Sequence, residues 1–134
     1  TEVTLGPFII SAARDSFDEC DSLISLRCTY RTYVILPWRV THVTIDPATT
    51  HIHTSAFAGC DQLHSITLTP GLTSLGPSSF WGCKKLPTNF MLSNAVTEVG
   101  TGAFARCEID ITSLPPHATM MQDIYTFVGG KGEL

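Results

Sequence analysis

The chain has 134 residues, 43% of them hydrophobic and only 15% charged, and its 8 Lys plus Arg against 12 Asp plus Glu leave a net charge of -4. Soluble domains usually carry about 25% charged residues, and disorder requires low hydrophobicity with high charge, so disorder is excluded. The longest apolar run, Tyr33 to Trp38, is far short of the roughly 20 residues that span a bilayer. Scattered Lys and Arg in an acidic chain also give no footprint for a phosphate backbone, which argues against a nucleic-acid partner.

The length fits one domain, residues 1–134. Five cysteines, an odd number, do not make a fully paired disulfide framework. Thr1 is not an initiator methionine and no signal peptide is recognisable after it, so the chain reads as a processed product or an excised piece of unknown compartment.

Taken in order, the first element is Val3-Thr4-Leu5-Gly6-Pro7, and it recurs as Val43-Thr44-Ile45-Asp46-Pro47 and Ile66-Thr67-Leu68-Thr69-Pro70. Aliphatic residues two apart with Thr between them suit a short strand whose Thr faces away from the core, and the proline ends the ladder. A phenylalanine follows the second aliphatic residue by 12 positions each time, at Phe17, Phe57 and Phe80. From it runs a further pattern: Phe17, Cys20, Leu23 and Leu26; Phe57, Cys60, Leu63 and Ile66; Phe80, Cys83 and Leu86; then Phe104 and Cys107. Phe127 keeps the phase, with Gly130 in the cysteine's place.

Phe57, Phe80, Phe104 and Phe127 are 23, 24 and 23 residues apart, with the extra residue read as a bulge near Asn89. Strands are expected at Val3 to Leu5, Leu26 to Cys28, Val43 to Ile45, Ile66 to Leu68, Phe90 to Leu92 and Ile109 to Ile111. That makes about five to six units of 23 residues, with a shortened unit near 29–46 that carries Pro37 and Trp38. Ser or Ala before Phe, followed by Gly and Cys, permits one helical or 3₁₀ turn on the return side. Such a unit cannot bury its own apolar edge and must stack on its neighbours.

These residues resemble a known family. Leu72-Thr73-Ser74-Leu75-Gly76, Ser79-Phe80-Trp81-Gly82-Cys83-Lys84-Lys85-Leu86 and the run from Ile52 through Ala56-Phe57-Ala58-Gly59-Cys60 to Ile66-Thr67-Leu68-Thr69-Pro70 are similar to BspA-like leucine-rich repeats. The resemblance implies an α/β solenoid: a short parallel strand ladder on one side, short helical or 3₁₀ turns on the other. It also implies a surface or secreted adhesion or interaction module. The departures are the shortened unit, the bulge and the fourth unit, where no leucine follows Cys107.

Cysteine is the first candidate for chemistry. Cys20, Cys60, Cys83 and Cys107 share one repeat position and Cys28 takes the strand position of Leu5, Ile45 and Leu68, so all five are expected in the core as reduced thiols. No Cys-x-x-Cys pair suggests zinc. In an extended His51-Ile52-His53 both imidazoles share one face, but Ile52 matches the core positions Leu75 and Val99 and a third ligand is lacking, so neither a metal nor another cofactor is expected. No nucleophile elbow, phosphate-binding loop or carboxylate pair points to an enzyme.

Binding surfaces remain. The outward strand residues Thr4, Arg27, Thr44, Thr67, Met91 and Asp110, with Ser25, His42, Ser65 and Asn89 two positions earlier, are expected to line the exposed ladder face. Trp81, at the position of Asp18, Ala58, Ala105 and Val128, is expected to be exposed. Tyr30, Tyr33 and Trp38 are expected to fill the gap left by the missing Phe and Cys. The partner-binding candidates are therefore Arg27, His42, Thr44, Ser65, Thr67, Met91 and Trp81, in a non-catalytic protein-binding module or, alternatively, a structural subunit of a larger assembly. The array starts in mid-unit and stops at Phe127 to Gly130 without a polar cap, which is expected to need further repeats or a covering partner. Lys131-Gly132-Glu133-Leu134 resembles a Lys-Asp-Glu-Leu retention signal with Gly for Asp.

Overall fold

The computed structural model describes residues 1–6, 12–32, 34–87, 90, 92 and 95–109, with the backbone of 119–120. Tyr33, Asn89, Met91, Asp110, Ile111 and the stretch from Phe127 to Leu134 lie outside the described residues.

Two parallel ladders run along the stack, where one was expected. The first is β1 (Glu2–Thr4), β2 (Ser25–Tyr30), β3 (His42–Ile45) and β5 (Ser65–Thr67). These are four of the expected strands, displaced by a residue at most ends. The second is β4 (His51–Ile52), β6 (Ser74–Leu75), β7 (Glu98–Val99) and β8 (Thr119–Met120). Its members are two residues long, too short for alternation to show, although the shared phase of Ile52, Leu75 and Val99 had already marked them as core.

The corner between the ladders follows from local chemistry. Pro47 has no N–H to continue β3, and the Asp46 carboxylate accepts the Ala48 N–H at 2.9 Å while the Asp46 carbonyl accepts that of Thr49 at 2.8 Å. The second ladder draws the coils close: a Cβ on Gly76 would lie 2.6 Å from Thr54 N, and one on Gly100 would lie 2.4 Å from Pro77 N. Only glycine fits at that approach.

On the return side, no described residue is helical or 3₁₀, in place of the turn expected there. The reason is a division of backbone donors. The N–H groups of Ala56, Ala58 and Cys60 bond within their own coil, to the carbonyls of His53, Ser55 and Phe57, whereas those of Ser55, Phe57 and Gly59 donate to Pro77, Ser79 and Trp81 of the next coil at 2.9, 2.8 and 2.7 Å. Ser78, Phe80 and Gly82 repeat this to Thr101, Ala103 and Ala105. A helix would keep every donor inside one coil. Left-handed residues at Ser55, Gly59, Ser78, Gly82, Gly102 and Arg106 make the alternation possible.

Inside, Tyr30, Phe57, Phe80 and Phe104 form one aromatic column, with successive centroids 5.1, 5.2 and 5.3 Å apart. Phe90 packs tilted against Phe80 and Phe104, 6.0 Å from each. Cys60, Cys83 and Cys107 run beside it, and the thiols of Cys83 and Cys107 donate to the carbonyls of Phe57 and Phe80. Four of the five cysteines are buried as expected, but Cys20 is exposed, because it lies on the outermost described coil. Tyr30 fills the place of the missing phenylalanine as expected, whereas Trp38 stays 42% exposed.

The shortened unit is tighter than the aliphatic pattern implied: Cys28 pairs with Val43, not with Ile45. Its turn lacks the donors a full coil would offer. Among the described residues no backbone N–H of that coil reaches the carbonyl of Ala56, the counterpart of Ser79. Arg14 reaches past the short coil instead, and its guanidinium donates to the carbonyls of Ser55 at 3.0 Å and Ala56 at 3.4 Å. A charged side chain thus stands in for missing backbone donors.

Arg14→Met should therefore lower stability by about 1.5–3 kcal/mol, the range for hydrogen bonds from charged groups, with Arg14→Lys recovering part of it in urea unfolding. The column makes an opposed pair of predictions. Phe80→Ala should cost about 3–5 kcal/mol. Its neighbour Ser79 sits fully buried with no hydrogen-bond partner for its hydroxyl, in a position where the adjacent coils carry Ala56 and Ala103. Ser79→Ala should accordingly stabilise by about 1 kcal/mol in the same assay.

Candidate functional site: the exposed face of the first ladder

Period-two alternation turns Leu26, Cys28, Val43 and Ile45 inward and Arg27, Thr44 and Thr67 outward, all three exposed. His42 and Ser65 are half-buried on the same face. Ser25, also expected there, is buried, and Met91 lies outside the described residues. The rows differ from the expected ones by the same two-residue slip as β2. Thr4, Arg27, His42 and Ser65 form one row across four strands, and Thr29, Thr44 and Thr67 form the next. Thr29 escapes the sequence pattern, because the aliphatic alternation marks only Leu26 to Cys28.

Two residues add character to the first row. His64, just before β5, sets its ring 4.7 Å from that of His42 in an edge-on contact. Thr41 binds the backbone of Leu26 at both its N–H (2.8 Å) and carbonyl (3.0 Å) and lies 2.8 Å from His42 Nδ1. Burial, then the positive charge of Arg27 and the nearness of His64, hold the His42 pKa below the usual 6.5, with Glu2 opposing them. His64 could not be foreseen from strand alternation, because it precedes the strand.

The second ladder carries its own polar row, His51, Ser74 and Glu98, beside a cleft of about 530 Å³ lined by His53, Thr54, Pro77 and Thr101 among others. His51 Nδ1 is hydrogen-bonded to the Ser74 hydroxyl. The serine, however, stands between the imidazole and the carboxylate, so Glu98 cannot orient His51 as an activated nucleophile would require. The two histidines of His51-Ile52-His53 also part company. His51 turns to Ser74 on the next coil and His53 to the Tyr30 hydroxyl on the previous one. They do not converge as a metal pair, and among the described residues no three His, Cys, Asp or Glu gather to hold a metal ion. No described helix is long and apolar enough to cross a membrane.

On the turn side, Trp81 is 41% exposed as expected, and the Arg106 guanidinium lies 5.6 Å from its ring centre. Trp38 stands over Gly59 of the adjacent coil, two coils away from Trp81 along the stack.

The arrangement of stacked coils, with Phe and Cys inside and Thr outside, agrees with a family model. The BspA type leucine-rich repeat region matches residues 33–128 in 6 copies. The chain belongs to the BspA-type leucine-rich repeat family. Neither a curated protein nor a solved structure matches it. Leucine-rich repeats of this kind commonly serve as protein-interaction modules and are generally non-catalytic.

Burial pushes the Cys28 thiol up to about 11 and that of Cys60 up to about 12. Because Cys28, Cys60, Cys83 and Cys107 are buried and Cys20 is exposed, a thiol reagent should modify Cys20 quickly in the folded protein and the other four only on unfolding. Five thiols in the denatured, unreduced chain would confirm the reduced state. Burial, then Arg14, keeps the His53 pKa below 6.5. The unfolded chain then binds the proton more readily, so stability should fall as pH drops through that value, until the lower folded pKa is passed. His53→Gln should flatten this acid-side slope in thermal melts.

Proposed function

We propose that the chain is a non-catalytic protein-binding module that docks its partner on the exposed face of the first ladder, with Arg27, His42, Thr44, Ser65 and Thr67 as contacts. The observation that supports this reading most is the registered pair of rows, Thr4-Arg27-His42-Ser65 and Thr29-Thr44-Thr67, whose side chains stand on consecutive coils. Adjacent parallel strands are about 4.8 Å apart, so the rows offer evenly spaced donors and acceptors on a rigid support. Trp81 and its partner Arg106 provide a second contact on the turn side, in keeping with the enrichment of Trp and Arg at interface hot spots. Met91 is proposed as a further contact from its place in the repeat alone.

A second reading, a structural subunit held permanently in an assembly, is favoured by exposed apolar side chains: Ile24 at 75%, Ile35 and Trp38 at 42% each. Solution size separates the two. A well-behaved monomer supports the module, and a chain that aggregates alone but is stable in a complex supports the subunit.

The test of the docking face is a partner isolated from the native source and then titrated against variants. Thr44→Glu with Thr67→Glu should leave the circular dichroism unchanged and weaken binding by about tenfold or more, as repulsive substitutions in an interface do. Unchanged binding would move the contact elsewhere. Trp81→Ala should retain the fold and weaken binding if the turn side contributes.

A further inference from the structure

The first-ladder face gathers three basic side chains in an acidic chain. Arg27, His42 and His64 lie together on it, Glu2 is the acidic group that opposes them there, and the protein as a whole carries a charge of -4. The hydrogen bonds around the two imidazoles determine how they can respond to a ligand.

Thr41 donates its one hydroxyl hydrogen to the Leu26 carbonyl and accepts the Leu26 N–H. His42 Nδ1 lies 2.8 Å from that hydroxyl and 3.5 Å from the Ser25 hydroxyl, so Thr41 and Ser25 hold the ring in place on the face. His64 Nδ1 lies 3.1 Å from the Gln62 carbonyl, which can only accept, so the hydrogen of that contact is on Nδ1. Both rings are held through Nδ1, and neither Nε2 has a hydrogen-bond partner among the described residues. A ligand can reach each of them there without breaking the contact that holds the ring. Acidification then adds positive charge beside Arg27 while the face keeps its shape.

Two imidazoliums with rings 4.7 Å apart, next to a guanidinium, repel one another. An anion lying across the row relieves that repulsion and accepts charge-assisted hydrogen bonds from both Nε2–H groups and from Arg27. The hydroxyls of Thr29, Thr44 and Thr67 in the next row suit the peptide groups and carboxylates of an extended chain.

Resting on the proposed docking face, we infer that its partner is an acidic protein segment, gripped by Arg27, His42 and His64, and bound more tightly as pH falls. The sign follows from linkage: a carboxylate beside the rings favours their protonated form, so binding takes up protons and strengthens on acidification. The charged and titratable groups facing His42 are Arg27 from β2, Glu2 from β1 and His64 from the segment before β5. Of these only Glu2 favours its protonation, and its carboxylate is the one a partner would supplement.

The test uses a fluorescein-labelled peptide of alternating Glu and Ser, its Gln-Ser counterpart as neutral control, and heparin as a sulfated polysaccharide. Binding is followed by NMR on the intact chain at about pH 8 and about pH 5.5, which span the histidine titration. The Glu peptide should shift the amides of Arg27, His42, His64 and Ser65 saturably, and should bind about tenfold more tightly at the lower pH. His42→Asn with His64→Asn, which can still offer a donor in place of Nδ1–H, should remove the pH dependence. Arg27→Gln should weaken binding at both values. Equal binding of the Glu and Gln peptides to this face would overturn the acid preference and leave the docking face standing, whereas no shift with either peptide would count against both. A pH dependence that survives in the folded double variant would overturn the role of the histidines. Heparin binding with the Glu peptide unbound would overturn the choice of a protein partner.

Discussion

The rest of the structure depends on one constraint: on the return side, alternate backbone N–H groups of each coil must be accepted by carbonyls of the next. Phe57 to Ser79 and Phe80 to Ala103 are two such bonds, each 2.8 Å. Buried backbone polar groups have to be paired, so a coil cannot drift in phase from its neighbour without orphaning several at once. The Phe and Cys columns follow from that registry. So do the left-handed Ser55, Gly59, Ser78 and Gly82, which turn every second N–H out of its own coil. On the second ladder the same close stacking is what restricts Gly76 and Gly100.

The shortened coil shows how the constraint is met when the backbone cannot meet it. Tyr30 supplies the missing aromatic from the end of β2 and packs tilted against Phe57, while its hydroxyl accepts the N–H of His53 at 3.0 Å. Arg14 covers the Ser55 and Ala56 carbonyls. Arg39 does similar work on the other side, where its guanidinium reaches the carbonyls of Phe17, Asp18 and Cys20 at 3.3–3.4 Å. An irregular unit is tolerated because long donor side chains bridge what the chain omits, and each such bridge ties an arginine to the core structure and removes it from the pool of binding residues. Among the described residues no carbonyl ties down Arg27, and it stays exposed on the ladder face.

The repeat phase, the core phenylalanines and four buried cysteines were legible from residue types at fixed spacing, because burial imposes the same side chain at the same place in every coil. Hydrogen bonds between coils impose no such signature. The second ladder, the turns in place of a helical segment and the role of Arg14 depend on backbone groups that every residue carries. The two-residue slip at β2 had a more local cause. Leu26 and Cys28 mimic Val3 and Leu5, and nothing in the pattern shows that the strand runs on to Thr29 and Tyr30. Of the candidate site, the exposed Arg27, Thr44, Thr67 and Trp81 could be read from alternation and phase, whereas the pairing of His42 with His64 needed the coil geometry.

Native-state hydrogen exchange at single-amide resolution tests the central claim most directly. If alternate donors join the coils, the amides of Phe57, Gly59, Phe80 and Gly82 exchange only through global unfolding, and their free energies of opening match the stability from urea. Rapid exchange at these four amides, with protection confined to the strands, would contradict it.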